Sequence, residues 1–575
     1  MIAVLGIHLG HDASVCLTID GKVSLAIQEE RFSRVKNHTG YPFRSLKVVR
    51  KYLDNKSIDE IYLAVAQNKF TKDIDTSLPL LISRLIIYKY PRGINRLIYL
   101  LGRFYNIFLK KNKLNEFLWR RILLIRTSLF LRKRIIRINF FDHHKCHAAS
   151  AAYSSGFDEC IVFTSDGKGD LMSGSGWNFY QNNLQNIYYQ KEEDSIGQIY
   201  AEVTRFLGFK PNRHEGKVTG LAAAGNPKTY IKFFDDLTLL DENNLIKRTD
   251  KLSNYNLNAK LLQQKFNNNL NKSRRSDIAA SLQFSIEKIF INHCKKFINN
   301  KTNIALAGGV FANVKINQEI RNLKNCLNLF VQPAMGDSGL SMGAAQLMNF
   351  EYGIKNVFQK SALLGTSYSN SYIENFLKGL KYDISYSQLE SNIYSDIAKE
   401  IYNGKIIGLF QGKMEWGPRA LSSRSILANP INKNINDQLN SRLNRSDFMP
   451  FAPVVLKDDM NDIFLDWKEN DRTSQYMTST YNINTDFEDL ISAIVHIDKT
   501  ARPQSVSYED YPFLYKVLKE VKKLSGIGVL INTSFNLHEE PIVESPKDVI
   551  RALRKKAIDI LYIGNFRVEL RVNKK

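Results

Sequence analysis

A two-part α/β fold is predicted by three features of this 575-residue sequence. Short apolar runs repeatedly end in a Gly- or Asp-bearing turn and lead into a helical segment, as in NIALAGGVFANVKIN and LFVQPAMGDSGLSMGAA. The chain is several times longer than one hydrophobic core usually serves. The stretch NFEYGIKNVFQKSALLGTSYSN mixes Gly and Ser with no sustained period, as a linker does, so the first part runs to about residue 355 and the second starts at about 360.

Composition narrows the class. A hydrophobic share of 44%, with 33 Phe and 27 Tyr, excludes disorder as the dominant state, because that much apolar surface offsets chain entropy. The 5 cysteines include no C-x-x-C pair, which disfavours a disulfide scaffold, a zinc ribbon and an iron–sulfur protein and points to a reducing compartment. The N-terminus, MIAVLGIHLGHDAS, has no basic leader and reads as a buried strand and turn. No run approaches the ~18 uncharged apolar residues of a membrane span. The expectation is a soluble, cytoplasmic, basic protein.

The formal charge of +23 is concentrated. Residues 82–137 carry basic side chains from Arg84 to Arg137 and one acid, Glu116, for a net +14. Apolar residues recur there at helical spacing, as in LIYLLGRFYNIFLKK, so two or three basic amphipathic helices are expected as an insertion. Such an insertion is either a solvated packing element or a peripheral membrane contact, each basic residue adding ~1 kcal/mol near an anionic leaflet. Nucleic acid is disfavoured, since the interleaved aromatics form no recognition pattern. Farther on, the asparagine-rich NYNLNAKLLQQKFNNNLNKSRR reads as a surface excursion.

RIIRINFFDHHKCHAASAAYSSG reads as a strand and then a helix capped by Asp142 and ended near Gly156. His143 and His147 stand one turn apart on one face, in the first turn, where the positive helix end favours neutral imidazole. ECIVFTSDGKGD then ends a buried strand at Asp166, and LFVQPAMGDSGLSMGAA repeats the pattern with Asp337. Two carboxylates at strand ends and two imidazoles make a mixed N/O metal site. Taken singly, Asp337 would serve as a helix cap and Asp166 as a turn residue.

Gly308 and Gly309, after a strand, allow backbone N–H groups to approach a phosphate, without the residues of a P-loop or a dinucleotide fingerprint. HEGKVTGLAAAG places Glu215 and Lys217 in a similarly Gly-punctuated turn; close helix–strand packing accounts for these glycines equally well. In the second part, GKIIGLFQGKMEWGPRALSSRSILANP puts Arg419 and Arg424 in a loop after a strand. RLNRSDFMPFAP adds Arg442 and Arg445, HIDKTARPQSV adds His496 and Arg502, and GVLINTSFNLHEEPIV ends a strand at Asn532 and Ser534. Several guanidinium groups beside amide and hydroxyl donors suit a phosphate or carboxyl-phosphate anion.

These motifs, in order, resemble the O-carbamoyltransferase family that includes the tobramycin, cephem and nodulation-factor enzymes; LGIHLGHDAS, EERFSRVKNHTGYP, DHHKCHAASAAY, SDGKGD, LAGGVFANVKIN, FQGKMEWGPRALSSRSILA and LINTSFNLHEEPIV carry much of the likeness. The resemblance implies an actin-like ATPase fold over residues 1–355, related to tRNA threonylcarbamoyl transferases, with the 82–137 insertion, and a YrdC-like domain over 375–572. It implies that carbamoyl phosphate and ATP, the latter with Mg(2+), give carbamoyl-adenylate and pyrophosphate, and that a hydroxyl of a small-molecule or saccharide acceptor then takes the carbamoyl group as AMP leaves. On that precedent His143, His147, Asp166 and Asp337 hold Fe(2+) or another divalent metal. Gly308, Gly309 and Asn313 line the adenosine side with Glu215 and Lys217, and Arg419, Arg445, Arg502, Asn532 and Ser534 bind carbamoyl phosphate. Asp12, with His11 beside it, is the candidate base for the acceptor hydroxyl, an Asx-turn being its structural alternative.

The chain departs from the commoner family pattern at Leu443, Ser446 and Met449, which replace a lysine, a glutamate and an arginine, and at Glu539, where a glycine is usual. Arg442 is the nearest substitute for the missing lysine. The alternatives are tRNA threonylcarbamoyl transfer, which the fused second half disfavours, and a membrane-associated non-catalytic scaffold. A homodimer is compatible with all of these, and a lipid-linked or otherwise amphiphilic acceptor would suit an insertion at a membrane surface.

Overall fold

The computed structural model describes residues 1–67, 113–249, 255–266, 272–380, 383–390, 392–444 and 451–571. Its first sheet opens with a meander of β1 (Ala3–His8), β2 (Ser14–Ile19) and β3 (Lys22–Gln28), and β4 (Glu60–Val65) and β5 (Arg134–Phe140) extend it in parallel from the free edge of β1, giving the order β3-β2-β1-β4-β5. The second sheet repeats this plan. A meander of β6 (Glu159–Gly169), β7 (Met172–Tyr180) and β8 (Asn183–Lys191) is extended in parallel from β6, after the small hairpin β9 (Thr238–Leu240) and β10 (Ile246–Arg248), by β11 (Thr302–Ala307) and β12 (Cys326–Val331). Two sheets of identical order, a duplicated β-meander unit, form the actin-like ATPase arrangement expected for the first half.

Two helices pack against each other between these sheets, His143–Ser155 and Leu340–Glu351. Both are rich in alanine, glycine and serine, and nearly all their side chains are buried. Small side chains let helix backbones approach closely, so the N-terminus of His143–Ser155 and the turn before Leu340 come together at the C-terminal ends of β1 and β6.

The second half holds a mixed eight-stranded sheet with β13 (Ile384–Gln388), β14 (Ile407–Phe410), β15 (Arg424–Ala428), β16 (Ala452–Leu456), β19 (Gln504–Val506), β20 (Val529–Ser534), β21 (Ile560–Ile563) and β22 (Phe566–Leu570); β17 (Tyr481–Asn482) and β18 (Thr500–Ala501) form a separate pair. Between Glu351 and Asn370 lies neither helix nor strand, yet this stretch is tied down, with Leu364 O accepting from Ala26 N at 3.0 Å. The halves meet through many polar contacts, among them Arg31 Nη2 on Gly417 O at 2.6 Å, Asn317 Nδ2 on Thr478 O at 2.7 Å and Lys315 with Asp498 at 3.1 Å.

Two sequence expectations are corrected here. The basic insertion does not extend to residue 137: Lys113–Leu131 is a helix with Leu123 and Leu131 buried, and Arg134–Phe140 is β5, the edge strand of the first sheet. Some of its basic side chains pack inward, Arg126 lying 4.1 Å from the Tyr41 ring and Lys133 pairing with Asp54 and Asp59, while residues 82–112 lie outside the described residues. The asparagine-rich stretch is no loose excursion either. Tyr255–Phe266 is a helix whose Phe266 is fully buried against Phe206, Tyr230 and Phe233, because its few apolar residues recur at helical spacing.

Candidate active site

The histidine helix begins as its sequence dictates. Asp142 caps it, accepting from Lys145 N at 2.9 Å, and this aims His143 and His147 at the turns that end β6 and β12. One ligand atom from each of His143, His147, Asp166 and Asp337 lies within 4.8 Å of the others. His147 Nε2 is 3.2 Å from Asp166 Oδ2 and 3.5 Å from Asp337 Oδ1, and His143 Nε2 is 3.6 Å from each carboxylate. His143 Nε2 and Asp337 Oδ1 are buried without a hydrogen-bond partner, as expected of atoms placed for an ion rather than for each other. Although burial opposes its charging, the hydrogen bond with Asp166 and the nearby Asp337 carboxylate raise His147 to about 9. Burial likewise opposes ionisation of Asp166, yet the neighbouring His143 imidazole and the hydrogen bond with His147 hold its carboxyl well below the usual range. The donor set is buried and mixed N/O, with two carboxylates and two imidazoles, and it fits a divalent metal.

The β1–β2 turn closes one side of this cluster. His11 Nε2 lies 3.3 Å from Asp337 Oδ2, and its Nδ1 lies 3.0 Å from Asp12 Oδ2. Asp12 takes a left-handed backbone, φ +58°, and Asn37 Nδ2 donates to its other oxygen at 2.7 Å. Both carboxylate oxygens thus face side chains, an arrangement unlike an Asx-turn. His8, not singled out in the sequence, stands behind Asp337 at 3.8 Å with burial pushing it down to about 4. Its place in the motif LGIHLGHDAS was its only signal.

Gly308 and Gly309 pack on the Asp166 turn. Gly308 has φ +109°, and a Cβ there would fall 2.1 Å from Ser165 O; one on Gly309 would fall 2.9 Å from Asp166 Oδ1. The two turns approach so closely that only glycine fits. Asn313 caps the Val314–Arg321 helix, its Oδ1 accepting from Lys315 N and Ile316 N, and it donates to Gln283 Oε1 at 2.9 Å. Glu215 and Lys217 are corrected: they lie in the helix Glu215–Ala222 rather than a turn, because the glycines there sit inside a run that still carries helical apolar spacing. Glu215 Oε1 accepts from Asn212 N at 2.6 Å, and Thr219 of the helix is linked to Asn313 through Tyr200 and Gln283.

In the second half Arg419 extends over the junction, its Nη2 donating to Ala312 O at 3.3 Å. Burial pushes Arg419 well down, with Arg502 adding repulsion, and burial pushes Arg502 down to about 10. Among the described residues neither pairs with a carboxylate, so two guanidinium groups share a site that lacks a compensating anion. Beside them Asn532 Nδ2 donates to Gln504 Oε1 at 2.9 Å and to Ala420 O, while Ser422 Oγ also donates to Gln504 Oε1. This leaves Asn532 Oδ1 and Gln504 Nε2 buried without a close hydrogen bond, with the Tyr511 hydroxyl facing the Gln504 amide. Gln504 was missed in the sequence, although it lies in the motif TARPQSV. Ser534 follows Asn532 in β20 and donates to Asn536.

Two other arginine expectations change, and a third falls outside the described residues. Arg424 belongs to strand β15, fully buried, and donates to Gln411 O at 2.8 Å with Phe410 stacked on it, so it organises the loop from inside. Arg442 does not replace the missing lysine: its Nη1 pairs with Asp559 at 2.7 Å, since it ends a helix facing that carboxylate. Arg445, Ser446 and Met449 lie outside the described residues. Leu443 is fully buried core.

An actin-like half with a buried N/O cluster, joined to a half whose Arg419 and Arg502 pair with no carboxylate among the described residues, defines a class of two-part enzyme. Family models give this class its identity. Residues 3–346 match the carbamoyltransferase N-terminus and residues 398–570 the carbamoyltransferase C-terminus, so the chain belongs to the carbamoyltransferase family. Nodulation protein NolNO of Sinorhizobium fredii is 29% identical, covering 98% of this chain and 79% of its own, and nodulation protein NolO of Bradyrhizobium diazoefficiens is 33% identical over 75% and 79%. An uncharacterised protein of Methanocaldococcus jannaschii is 32% identical over 100% of both chains. Among solved structures, HypF of T. kodakarensis aligns with 61% of this chain and 48% of its own at 13% identity and a TM-score of 0.31.

Proposed function

We propose that this carbamoyltransferase uses carbamoyl phosphate and ATP to carbamoylate a hydroxyl of a small-molecule or saccharide acceptor through carbamoyl-adenylate. The observation that carries this reading is the unpaired Arg419–Arg502 site beside the Asn532–Gln504 amide pair. The arginines supply charge for the donor phosphate. The amides supply one acceptor and one donor, the complement of a carbamoyl NH2 and C=O.

In the balanced sequence, water cleaves carbamoyl phosphate to carbamate and phosphate. A carbamate oxygen then bonds to the α-phosphorus of ATP, and pyrophosphate leaves, its charge matched by Mg(2+). Arg419, touching Ala312 next to Asn313, stands between the donor pocket and the Gly308–Gly309 turn, where the adenylate would be received. There the acceptor oxygen bonds to the carbamoyl carbon, the carbon–oxygen bond to AMP breaks, and the hydroxyl proton passes to Asp12, which His11 and Asn37 hold as a carboxylate. A divalent metal, Fe(2+) by family precedent, held by His143, His147, Asp166 and Asp337 would supply Lewis acidity and charge neutralisation at the nucleotide phosphate. Pyrophosphate release that requires carbamoyl phosphate, assayed with Fe(2+), supports this function; its absence contradicts it.

A further inference from the structure

Glu539 and the loop Lys210–His214 form a cluster that the transfer chemistry leaves unused. Glu539 of the second half meets Lys210 Nζ at 3.1 Å, His214 Nε2 at 3.1 Å and Arg213 Nη1 at 3.6 Å, all of the first half. Lys36 acts on the same carboxylate from farther away, and Arg213 Nη2 donates to Lys36 O at 3.0 Å. One carboxylate therefore faces two lysines, an arginine and the His214 imidazole, and His538 Nε2 lies 3.9 Å from it. The cluster is open to water, Lys210 being 60% exposed and Glu539 30%.

Two further observations single this cluster out. Glu539 sits at φ +61°, a left-handed backbone costing a non-glycine residue roughly 1 kcal/mol, so the carboxylate is kept here against a local preference. The cluster also adjoins the transfer centre. Lys36 precedes Asn37, whose side chain holds Asp12, and Arg34 of the same loop donates to Pro541 O and Ile542 O at 2.7 Å, docking the Glu539 loop onto it.

We propose that Lys36, Lys210, Arg213 and His214 bind the phosphate monoester group of the acceptor, and that Glu539 occupies this site until the acceptor displaces it. The reading of the bound compound as an acceptor rests on the carbamoyl-transfer function above. A dianionic phosphate with three acceptor oxygens offers these four donors more charge and more acceptors than a single carboxylate does. Displacement would also free the 539–542 loop from the basic loop, so that acceptor entry and release of this contact occur together.

The test is calorimetric titration of the full chain with glycerol 1-phosphate, and with glycerol as control, while phosphonoacetamide and a non-hydrolysable ATP analogue saturate the donor and nucleotide sites. Binding of glycerol 1-phosphate but not glycerol is expected. Glu539→Gln and Glu539→Gly should each tighten it at least threefold, and the double variant Lys210→Ala/Arg213→Ala should weaken it at least tenfold. Phosphatidic acid vesicles at equal headgroup concentration show whether a lipid-borne monoester binds as well; binding in either arm supports the site. The proposal is overturned if neither form binds, or if the affinity ignores Glu539 and the basic pair in variants whose melting curves remain cooperative. Failure of phosphonoacetamide to bind would instead contradict the carbamoyl-transfer function, which keeps the two results separate.

Discussion

Arg419 of the second half donates from Nη2 to the carbonyl oxygen of Ala312 in the first half, at 3.3 Å. This contact joins the loop that carries Arg419 to the turn that ends at Asn313. Its other terminal nitrogen, Nη1, is buried without a partner. A donor phosphate would complete that hydrogen-bonding set.

Arg502→Ala should raise the KM for carbamoyl phosphate about 10- to 100-fold, the range for losing one charged hydrogen-bond donor in a buried site. Arg502→Lys should restore only part of it, because an ammonium lacks the planar fork. Steady-state pyrophosphate release against donor concentration measures both.

Asn532 and Gln504 should separate the two ends of the carbamoyl group. Asn532→Leu is expected to weaken phosphonoacetamide, which carries the NH2, while leaving its methyl ketone counterpart, 2-oxopropylphosphonate, within about threefold. Gln504→Met should weaken both compounds alike, by about tenfold, because both keep the carbonyl. Titration calorimetry of the two variants checks this, with inorganic phosphate as the ligand that neither change should affect.

His143→Ala and Asp337→Ala should each lower the bound divalent metal, measured by elemental mass spectrometry after Fe(2+) loading, by at least about tenfold. Asp12→Asn should leave metal content intact while slowing acceptor carbamoylation about 10²- to 10⁴-fold, since it removes a base rather than a ligand.

Glu539 links stability to pH. Burial acts against its ionisation, but hydrogen bonds from His214 and Lys210 bring it down to about 2, below the ordinary value of 4.5. A depressed carboxyl stabilises the fold above its unfolded value and loses that contribution as pH falls through the folded one. The Tm deficit of Glu539→Gln should therefore be full above pH 4.5 and shrink as the pH approaches 2. Thermal melts across that window, at low salt, measure it.

Much of the site is legible in the sequence because its residues lie at strand ends, where a turn signal and a polar side chain coincide. His143, His147, Asp166 and Asp337 come from three separate segments, yet each follows or precedes such a turn, and the fold brings them together with His11 and Asp12. The repeated sheet order follows from the same strand–turn–helix grammar. Other features depend on tertiary partners that no local pattern announces. Arg442 and Arg424 carry the same charge as Arg502, and only Asp559 and the Gln411 carbonyl distinguish their roles. Gln504 resembles any polar residue in a strand until Asn532 and Ser422 consume its oxygen and leave its nitrogen without a close hydrogen bond. The basic stretch reads as one insertion by charge, although its last residues form the edge strand of a sheet, because arginine stems cover apolar surface while their heads reach water or an aromatic face.

The most direct measurement is a rapid-quench experiment with carbamoyl phosphate labelled in its carbamoyl carbon, ATP and Fe(2+), followed by separation of the nucleotides. Carbamoyl-adenylate carrying the label should accumulate with pyrophosphate, and adding a hydroxyl acceptor should convert it to AMP and a labelled product. ATP consumed to ADP, or label reaching the acceptor with no AMP formed, would contradict transfer through the adenylate.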